Sequence, residues 1–215
     1  MTSCYNRHGG MGRELVFEIT MKRLLLTTML GLGFALDATA QTISDRIHDV
    51  SRPPGTPVII GVLSEPFPKS VSELTNGSAL ILEAKVSLLQ TYINASDTGV
   101  VSEFEILPIQ ILAGNVPVEI PLLLRTSGGE VLKDGVTVRE VDHDREQLKE
   151  NVVYLLFLKH DGLEPNAYSI YNVAAFEVFN NVVRPLATEG AYLFRDLSRD
   201  HDEAVAQVNK AARAR

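Results

Sequence analysis

Cysteine is nearly missing from this chain of 215 residues, which holds a single copy, Cys4. Because Cys4 lies in a part that we expect to be removed on export, the mature protein would form no disulfide. It would also offer no thiolate to a substrate or a metal ion, and no cysteine follows the cleavage site to carry a bacterial lipid anchor. A secreted domain held only by its core suits a bacterial periplasm or exterior.

Several common catalytic and phosphate-binding motifs are missing as well. The chain has no G-x-S-x-G nucleophile elbow, no G-x-G-x-x-G turn, no P-loop and no H-E-x-x-H zinc motif. Each of these motifs places a nucleophile, a phosphate or a metal at a fixed point of the fold. Their absence argues against the corresponding hydrolases and nucleotide-binding enzymes, and the sequence implies no cofactor.

No apolar run near the N-terminus is long enough to cross a bilayer. The stretch 24–36 has 13 residues, whereas a membrane-spanning helix needs about 20. Lys22 and Arg23 precede it and Ala38-Thr39-Ala40 follows, which is the pattern of a cleavable signal peptide. We therefore predict a signal peptide over 21–40, cleavage between Ala40 and Gln41, and a periplasmic or secreted product without an integral membrane span. Residues 1–20 fit no export signal and are interpreted as a mis-called extension in front of a true start at Met21.

Positive charge is also scarce in the predicted mature protein. Removing residues 1–40 takes four basic and three acidic residues from the 20 and 27 of the whole chain, which leaves a net charge of −8. That charge opposes binding to phosphate backbones and to anionic lipid. Nucleic acid is therefore excluded as a partner, and a protein or a small ligand is favoured.

The mature chain is long enough for one domain, and we divide it into three parts. Residues 41–69 contain five prolines and predict an irregular arm, with one short strand over 58–63. Residues 70–190 predict a β-barrel domain that begins with a short helix, capped by Ser70 and Glu73 and ended by a left-handed Gly77. Residues 196–215 predict a C-terminal helix with Ser198 or Asp200 as its N-cap.

Apolar and β-branched runs between turn signals predict the strands of this domain. Pro108 inside the second of them indicates an edge or a bulge, and the apolar run 152–158 is predicted to be the central strand. The predicted strands are 79–93, 100–112, 116–125, a small hairpin within 130–141, 152–158, 168–173, 175–179 and a short last strand to Leu186. Their number and spacing favour a mainly β fold, a single antiparallel barrel with a helix before the first strand and another at the C-terminus.

The residues of four of these segments resemble a known group of proteins. They are the strand 78–86, the stretch from Phe104 to Gly114, the Gly128-Gly129 turn and the strand 151–158. They are similar to secreted bacterial domains with an OB-fold, netrin-like barrel, which are distantly similar to tissue inhibitors of metalloproteinases. The resemblance implies an OB-fold-like barrel. Those inhibitors insert an N-terminal cysteine into a zinc site, and this mature chain begins at Gln41 and lacks cysteine, so that mechanism does not carry over.

Asp97-Thr98-Gly99 is the tripeptide of aspartic proteases and makes Asp97 a candidate catalytic residue. Those enzymes need two buried aspartates that share one proton. Here Ala95 and Ser96 precede the motif where apolar residues are expected, and the motif falls between two strands. We predict that Asp97 serves a turn and that its carboxylate is solvated at an exposed hairpin tip.

Two Asp-His-Asp triplets, at 142–144 and 200–202, are candidate metal ligands. Carboxylate and imidazole groups can hold Mn, Fe or Zn if they converge. Both triplets lie in charged segments typical of solvated surface, and we expect their histidines to lie far apart. The candidate ligands are Asp142, His143, Asp144, His160 and His201.

The sequence thus leaves three hypotheses for function. The leading one is an exported, non-enzymatic β-barrel domain that binds a protein or a small ligand. The second is a hydrolase, either of the aspartic type through Asp97 or metal-dependent through the Asp-His-Asp triplets. The third is a structural accessory subunit of an envelope complex, whose C-terminal helix docks on a partner.

Overall fold

The computed structural model describes residues 41–62, 70–116, 121–142, 145–187 and 196–214. The predicted signal peptide and N-terminal extension lie outside these residues, as do the candidate ligands His143 and Asp144. The chain is mainly β, as predicted. Its helices are α1 (Ile43–Ile47), α2 (Val71–Gly77) and α3 (His201–Arg213). Its strands are β1 (Val58–Val62), β2 (Leu80–Ile93), β3 (Val100–Ala113), β4 (Leu122–Ser127), β5 (Gly129–Lys133), β6 (Val136–Asp142), β7 (Val153–His160), β8 (Ala167–Phe179) and β9 (Val182–Pro185).

The strands form two sheets rather than one. The larger sheet has the order β4-β3-β2-β7-β8-β9, and β4 also pairs with β8 through Leu123 with Ala167 and Leu124 with Tyr168. The smaller sheet has the order β1-β6-β5. The β4–β8 and β1–β6 pairs are parallel, so the prediction of antiparallel strands throughout is wrong in these two places.

The long hairpin β2–β3 departs from regular pairing at three points. Glu83 pairs with Gln110 and Ala84 pairs with Pro108, so Ile109 is an extra residue next to the proline. The other two irregularities leave Leu112 and Leu89 as extra residues. A proline cannot donate to the ladder, and a bulge accommodates it. The bulge predicted at Pro108 is thereby confirmed.

Strand β7 is central, as predicted, and it is buried on both faces. It lies between β2 and β8, and Tyr154 through Leu158 have almost no exposed surface. Leu156 points into what we call the inner cluster, and Phe157 into the outer cluster, where its ring meets Phe176 edge to face at 5.9 Å. The inner cluster comprises Leu80, Leu82, Ala84, Val86, Phe104, Ile106, Leu122, Leu124, Leu148, Tyr154, Leu156, Leu158, Tyr168, Ile170, Ala175 and Leu186. The outer cluster comprises Leu74, Ile81, Leu155, Phe157, Ala174, Phe176, Val183, Leu197, Ala204 and Val208.

Helices α2 and α3 cover the outer face of the large sheet. Leu74 of α2 and Ala204 and Val208 of α3 are fully buried in the outer cluster. Asp200 is the N-cap of α3, one of the two residues predicted for it, and accepts a hydrogen bond from the backbone N–H of Glu203. None of the helices in the described ranges is long and apolar enough to cross a membrane.

Gly77 is the last residue of α2, and its lack of a side chain is required by a close neighbour. It is not among the residues with positive φ, so the prediction of a left-handed stop is wrong. A Cβ atom at this position would lie 2.2 Å from Cζ of Tyr171. The tyrosine comes from the part of β8 where four residues, 171–174, face the single residue Phe157 of β7. The lack of a side chain at Gly77 therefore makes room for the Tyr171 ring. The sequence pattern does not predict this contact.

The described part of the arm, 41–62, contains the one short strand predicted there, as β1, and also a helix that was not predicted. Thr42 caps α1 by accepting from the Asp45 N–H, while the Asp45 carboxylate accepts from the Thr42 N–H. Strand β1 lies between prolines and pairs with β6. Together these elements bury a third, smaller cluster of Ile43, Ile47, Val58, Ile60, Val100 and Val138. The sequence does contain a signal for helix α1 that the prediction did not use. Thr42 and Asp45 form a capping box, and this box precedes the prolines.

Replacing Thr75 by Val should stabilise the protein. Thr75 is fully buried in α2, and among the described residues its Oγ1 has no hydrogen-bond partner. A buried hydroxyl without a partner costs about 1–3 kcal/mol, and valine has nearly the same shape without the hydroxyl. We expect a gain of about 1 kcal/mol in the urea-determined free energy of unfolding. Thr98→Val is the control, because the Thr98 hydroxyl has partners in the exposed 94–99 turn, and no gain is expected there.

Candidate functional site

Asp97 is a structural anchor rather than a solvated tip residue. Its φ of 57° confirms the predicted turn geometry. Its carboxylate, however, accepts hydrogen bonds from Lys133 Nζ at 2.5 Å and from the Ser44 N–H at 3.0 Å. These contacts, led by the one from Lys133, lower the pKa of Asp97 to about 2. The side chain is only 25% exposed, so the prediction of a solvated carboxylate is wrong. The missed partners lie 36 and 53 positions away in the sequence.

Asp97→Asn should weaken the contacts that join helix α1 of the arm and strand β5 to the turn between β2 and β3. A carboxyl whose pKa is lowered on folding stabilises the protein above its unfolded pKa, near 3.8, and this contribution is lost as the pH falls toward 2. We expect a loss of about 1 kcal/mol at pH 7 that begins to shrink below about pH 4 and is largely gone once the pH falls through the folded pKa, as measured by urea unfolding between pH 7 and pH 2. Lys133→Met should produce a similar loss, and the double variant should lose less than the sum. Additive losses would contradict the pairing.

The described candidate metal ligands lie in separate environments. His160 stacks on the ring of Tyr168 with centroids 4.8 Å apart. His201 contacts the Glu83 carboxylate through Nε2, and burial, which lowers its pKa, is outweighed by Glu83, so the pKa of His201 is raised. Asp142 pairs with Arg145. Among the described residues, no three His, Cys, Asp or Glu side chains form a group that could hold a metal ion.

A pocket of about 280 Å³ lies next to the inner cluster, beyond Phe104 and Leu148. One wall is a row of hydroxyl side chains from β2, β3 and β4, followed by the Gly128-Gly129 turn. Ser102 links strand and turn, because its hydroxyl donates to the Gly128 carbonyl at 2.7 Å. The hydroxyls belong to Thr91, Ser102, Thr126 and Ser127.

Another part of the lining, which we call the second wall, comes from the β6–β7 connection and consists mainly of long polar side chains. Arg145 stands in it and has a side chain only 8% exposed, and its Nη2 lies 3.4 Å from the Asp142 carboxylate. Burial lowers the pKa of Arg145, and Asp142 opposes this shift. Gln147 and Glu150 add an amide and a carboxylate to the same wall. We call this cavity the Arg145 pocket.

Hydrogen bonds to backbone groups of neighbouring segments hold the wall segment in place. Arg145 forms an isolated bridge with Ala187, and the Glu146 N–H donates to the Leu186 carbonyl at 2.8 Å. Further along, the Glu150 carboxylate accepts from the Leu88 N–H at 3.1 Å. The wall is thus tied to the strands at both of its ends, which gives the pocket a defined shape.

No family model, curated protein or solved structure matches this chain. The pocket is therefore interpreted from its own chemistry. The sequence does not reveal the pocket, because its walls come from five separate segments. The one local signal is the Gly128-Gly129 turn. Gly129 has φ +135°, and a Cβ there would lie 2.5 Å from the Ser102 hydroxyl. The glycine therefore allows the backbone of the turn to lie close to Ser102 of β3.

Proposed function

We propose that this chain is an exported, non-enzymatic binding domain and that its ligand occupies the Arg145 pocket. The observation that carries the proposal is the pocket itself, where convergent polar side chains stand over an apolar floor. Such a combination is characteristic of ligand sites, in which apolar surface supplies burial and a few polar groups fix orientation. The export part rests on the signal-peptide pattern of residues 21–40.

The proposal includes a closed barrel of the OB type as the framework of the pocket. It is supported by the β4–β8 pairing, which would join the fourth strand to the eighth around the order β4-β3-β2-β7-β8. Side chains from all five of these strands share one inner cluster, and the three irregularities of β2–β3 provide the curvature that closure requires. Pockets commonly form at the mouths of such barrels.

The contacts of Asp97 favour binding over aspartic-type catalysis. A catalytic aspartate pair shares a proton, which raises the pKa of one member. Asp97 has the opposite environment, because Lys133 keeps it ionised. Its carboxylate is also occupied by the contact that joins α1 to the hairpin.

The accessory-subunit alternative receives less support from the C-terminal helix. The apolar side of α3 is already used within the molecule, where Ala204 and Val208 pack into the outer cluster. His201 further ties the start of the helix to Glu83 of β2. Docking on a partner through this face would require α3 to leave the sheet.

A blocked pocket tests the binding function without assuming the class of ligand. Ser127 is an exposed residue at the rim, so Ser127→Phe should fill the pocket and leave the core intact. Ser72→Phe, at an exposed position of α2 outside the pocket, is the matched control. We expect a thermal-shift screen with neutral polyols, amino acids, inorganic phosphate and short peptides to give saturable stabilisation that Ser127→Phe abolishes and Ser72→Phe retains. Stabilisation that persists in Ser127→Phe, or turnover of the bound compound, would contradict the proposal.

Export is tested by processing in a Gram-negative host. We expect a periplasmic product whose first residue is Gln41, established by N-terminal sequencing and intact mass. An uncleaved cytoplasmic product that retains residues 1–40 would exclude export by this signal.

A further inference from the structure

We infer that the Arg145 pocket binds a neutral polyhydroxylated ligand, a single sugar ring or a cyclic polyol, an inference that rests on the proposed binding function. The size of the cavity limits the ligand first. At about 280 Å³ the pocket lies just below the usual range of about 300–1,000 Å³ for small-molecule sites. It suits one ring and does not suit a nucleotide or a peptide.

The existing ion pairs around the pocket disfavour a strongly charged ligand. Four carboxylates line it, and one of them, Asp142, faces the guanidinium of Arg145. Two of the others are paired with basic groups on their outer sides. Glu130 pairs with Arg139, and Glu146 pairs with Arg184 and Lys149.

The last carboxylate, Glu150, accepts from the Leu88 N–H and from the Ser87 hydroxyl. Three of the four lining carboxylates thus have basic partners, although Arg184 is shared with Glu177, which lies closer to it at 2.6 Å. An anion would meet four carboxylates against a single guanidinium. A cation would have to compete with the basic partners of three of those carboxylates. In either case the charge would leave water with incomplete compensation, which is unfavourable.

The hydrogen-bonding groups fit a ligand rich in hydroxyls. A carboxylate only accepts, an arginine only donates, and an amide or a hydroxyl does both. Glu150 can therefore accept from sugar hydroxyls, Arg145 and Gln147 can donate to hydroxyl and ring oxygens, and Thr126 and Ser127 can do either. Each hydroxyl of a sugar is both a donor and an acceptor, so it can bind the donor groups and the acceptor groups of the pocket at the same time.

The floor of the pocket suits the C–H face of a ring. Phe104 and Leu148 are buried members of the inner cluster that border the cavity, and Leu88 stands at its edge with 44% exposure. A sugar presents apolar C–H groups between its hydroxyls, and burying them against this floor contributes affinity without a charge. Size, neutrality, mixed hydrogen bonding and an apolar floor together point to the polyol class.

Calorimetric titration of the mature protein tests the ligand class. The neutral probes are glucose, galactose, N-acetylglucosamine, ribose and myo-inositol, and the charged probes are glutamate, lysine and inorganic phosphate. We expect at least one neutral probe to bind with a Kd of about 1 mM or tighter. The ligand could be a free sugar or the terminal residue of a glycan, and a short oligomer of the sugar that binds best separates these two sources. Equal affinity for the oligomer would indicate the end of a glycan, and failure of the oligomer to bind would indicate a free sugar.

Variants at the rim show whether binding occurs in this pocket. Gln147 is exposed, so Gln147→Leu should leave the thermal midpoint unchanged and weaken the neutral probe by about three- to tenfold through the lost amide. Ser127→Phe should abolish binding, and Ser72→Phe should not change it. Binding of a charged probe alone, if Ser127→Phe removes it, would overturn the polyol class and leave the binding function standing. Binding of no calorimetric probe, together with no stabilisation in the thermal-shift screen, would overturn both.

Discussion

Replacing Leu156 by Ala should lower the free energy of unfolding by about 2–5 kcal/mol, because the change removes a buried leucine and leaves a cavity. Leu156 has 0% exposed surface and lies in the middle of the inner cluster. Strand β2 pairs beside it through Leu82, and β8 pairs through Ala175. Paired strands on both sides limit the collapse that would shrink the cavity, so we expect a value in the upper part of this range. The urea midpoint, at an unchanged m-value, measures the loss.

Phe157→Ala provides a second measurement on the same strand and the opposite face. Its ring lies in the outer cluster against Phe176 and has 0% exposed surface, so a loss of about 3–5 kcal/mol is expected. Leu163→Ala is the matched control, because Leu163 is 78% exposed in the β7–β8 connection and should change the stability by less than about 0.5 kcal/mol. If Leu156→Ala matched this control, β7 would not be a core strand.

The burial of β7 on both faces explains why its position could be predicted from the sequence. A continuous run of apolar residues has no polar face, and a strand without a polar face must be covered on both sides. The turn residues Asp97 and Asp134 likewise marked hairpins, because both adopt the positive φ that aspartate tolerates. Local signals of this kind located most of the strands and the start of α3.

Features that depend on distant parts of the chain could not be predicted in this way. Gly77 faces Tyr171, and Asp97 binds Lys133, across 94 and 36 positions respectively. No periodicity connects such pairs, since each depends on how β8 bends and how β5 folds back. The Arg145 pocket likewise depends on segments that are distant in the sequence. An arginine within a polar stretch is normally expected at the surface, so the sequence does not indicate that Arg145 is buried.

Arg125→Met should have an effect as large as a core truncation, although the site is made of charges. Arg125 of β4 contacts three carboxylates, at 2.6 Å from Glu103, 2.7 Å from Asp161 and 2.6 Å from Glu164. Glu103 and Asp161 are each only 9% exposed. Removing the cation from such a cluster leaves buried charges uncompensated, for which about 3–5 kcal/mol is expected.

The pH dependence of this loss gives a direct test of its cause. Burial raises the pKa of Asp161, but hydrogen bonds from the Leu163 N–H and the Arg125 guanidinium outweigh it and leave the pKa below its ordinary value. The stability that this carboxyl contributes is therefore present above its unfolded pKa and is lost as the pH falls. We expect the difference between wild type and Arg125→Met to be largest at pH 7 and to shrink toward pH 3. A difference that stays constant over this range would point to lost packing of the arginine stem.

An exposed pair of the same type serves as the control. Arg139 and Glu130 form an ion pair on the small sheet, with side chains 57% and 51% exposed. Water screens such a pair, so Arg139→Met should lose less than about 1 kcal/mol. Equal losses from Arg125→Met and Arg139→Met would show that burial does not strengthen the Arg125 cluster.

The double variant Arg125→Met/Asp161→Asn separates the lost attraction from the charge that is left behind. Asparagine keeps a side-chain oxygen that can accept from the Leu163 N–H, a bond of 2.8 Å in the wild type, but it carries no charge. If the loss in Arg125→Met comes mainly from the uncompensated Asp161 carboxylate, the double variant should be more stable than Arg125→Met at pH 7. Near pH 3, where the carboxyl takes up a proton, the two variants should converge. A double variant less stable than Arg125→Met at pH 7 would show that Asp161 contributes through its remaining hydrogen bonds and not through its pairing with Arg125.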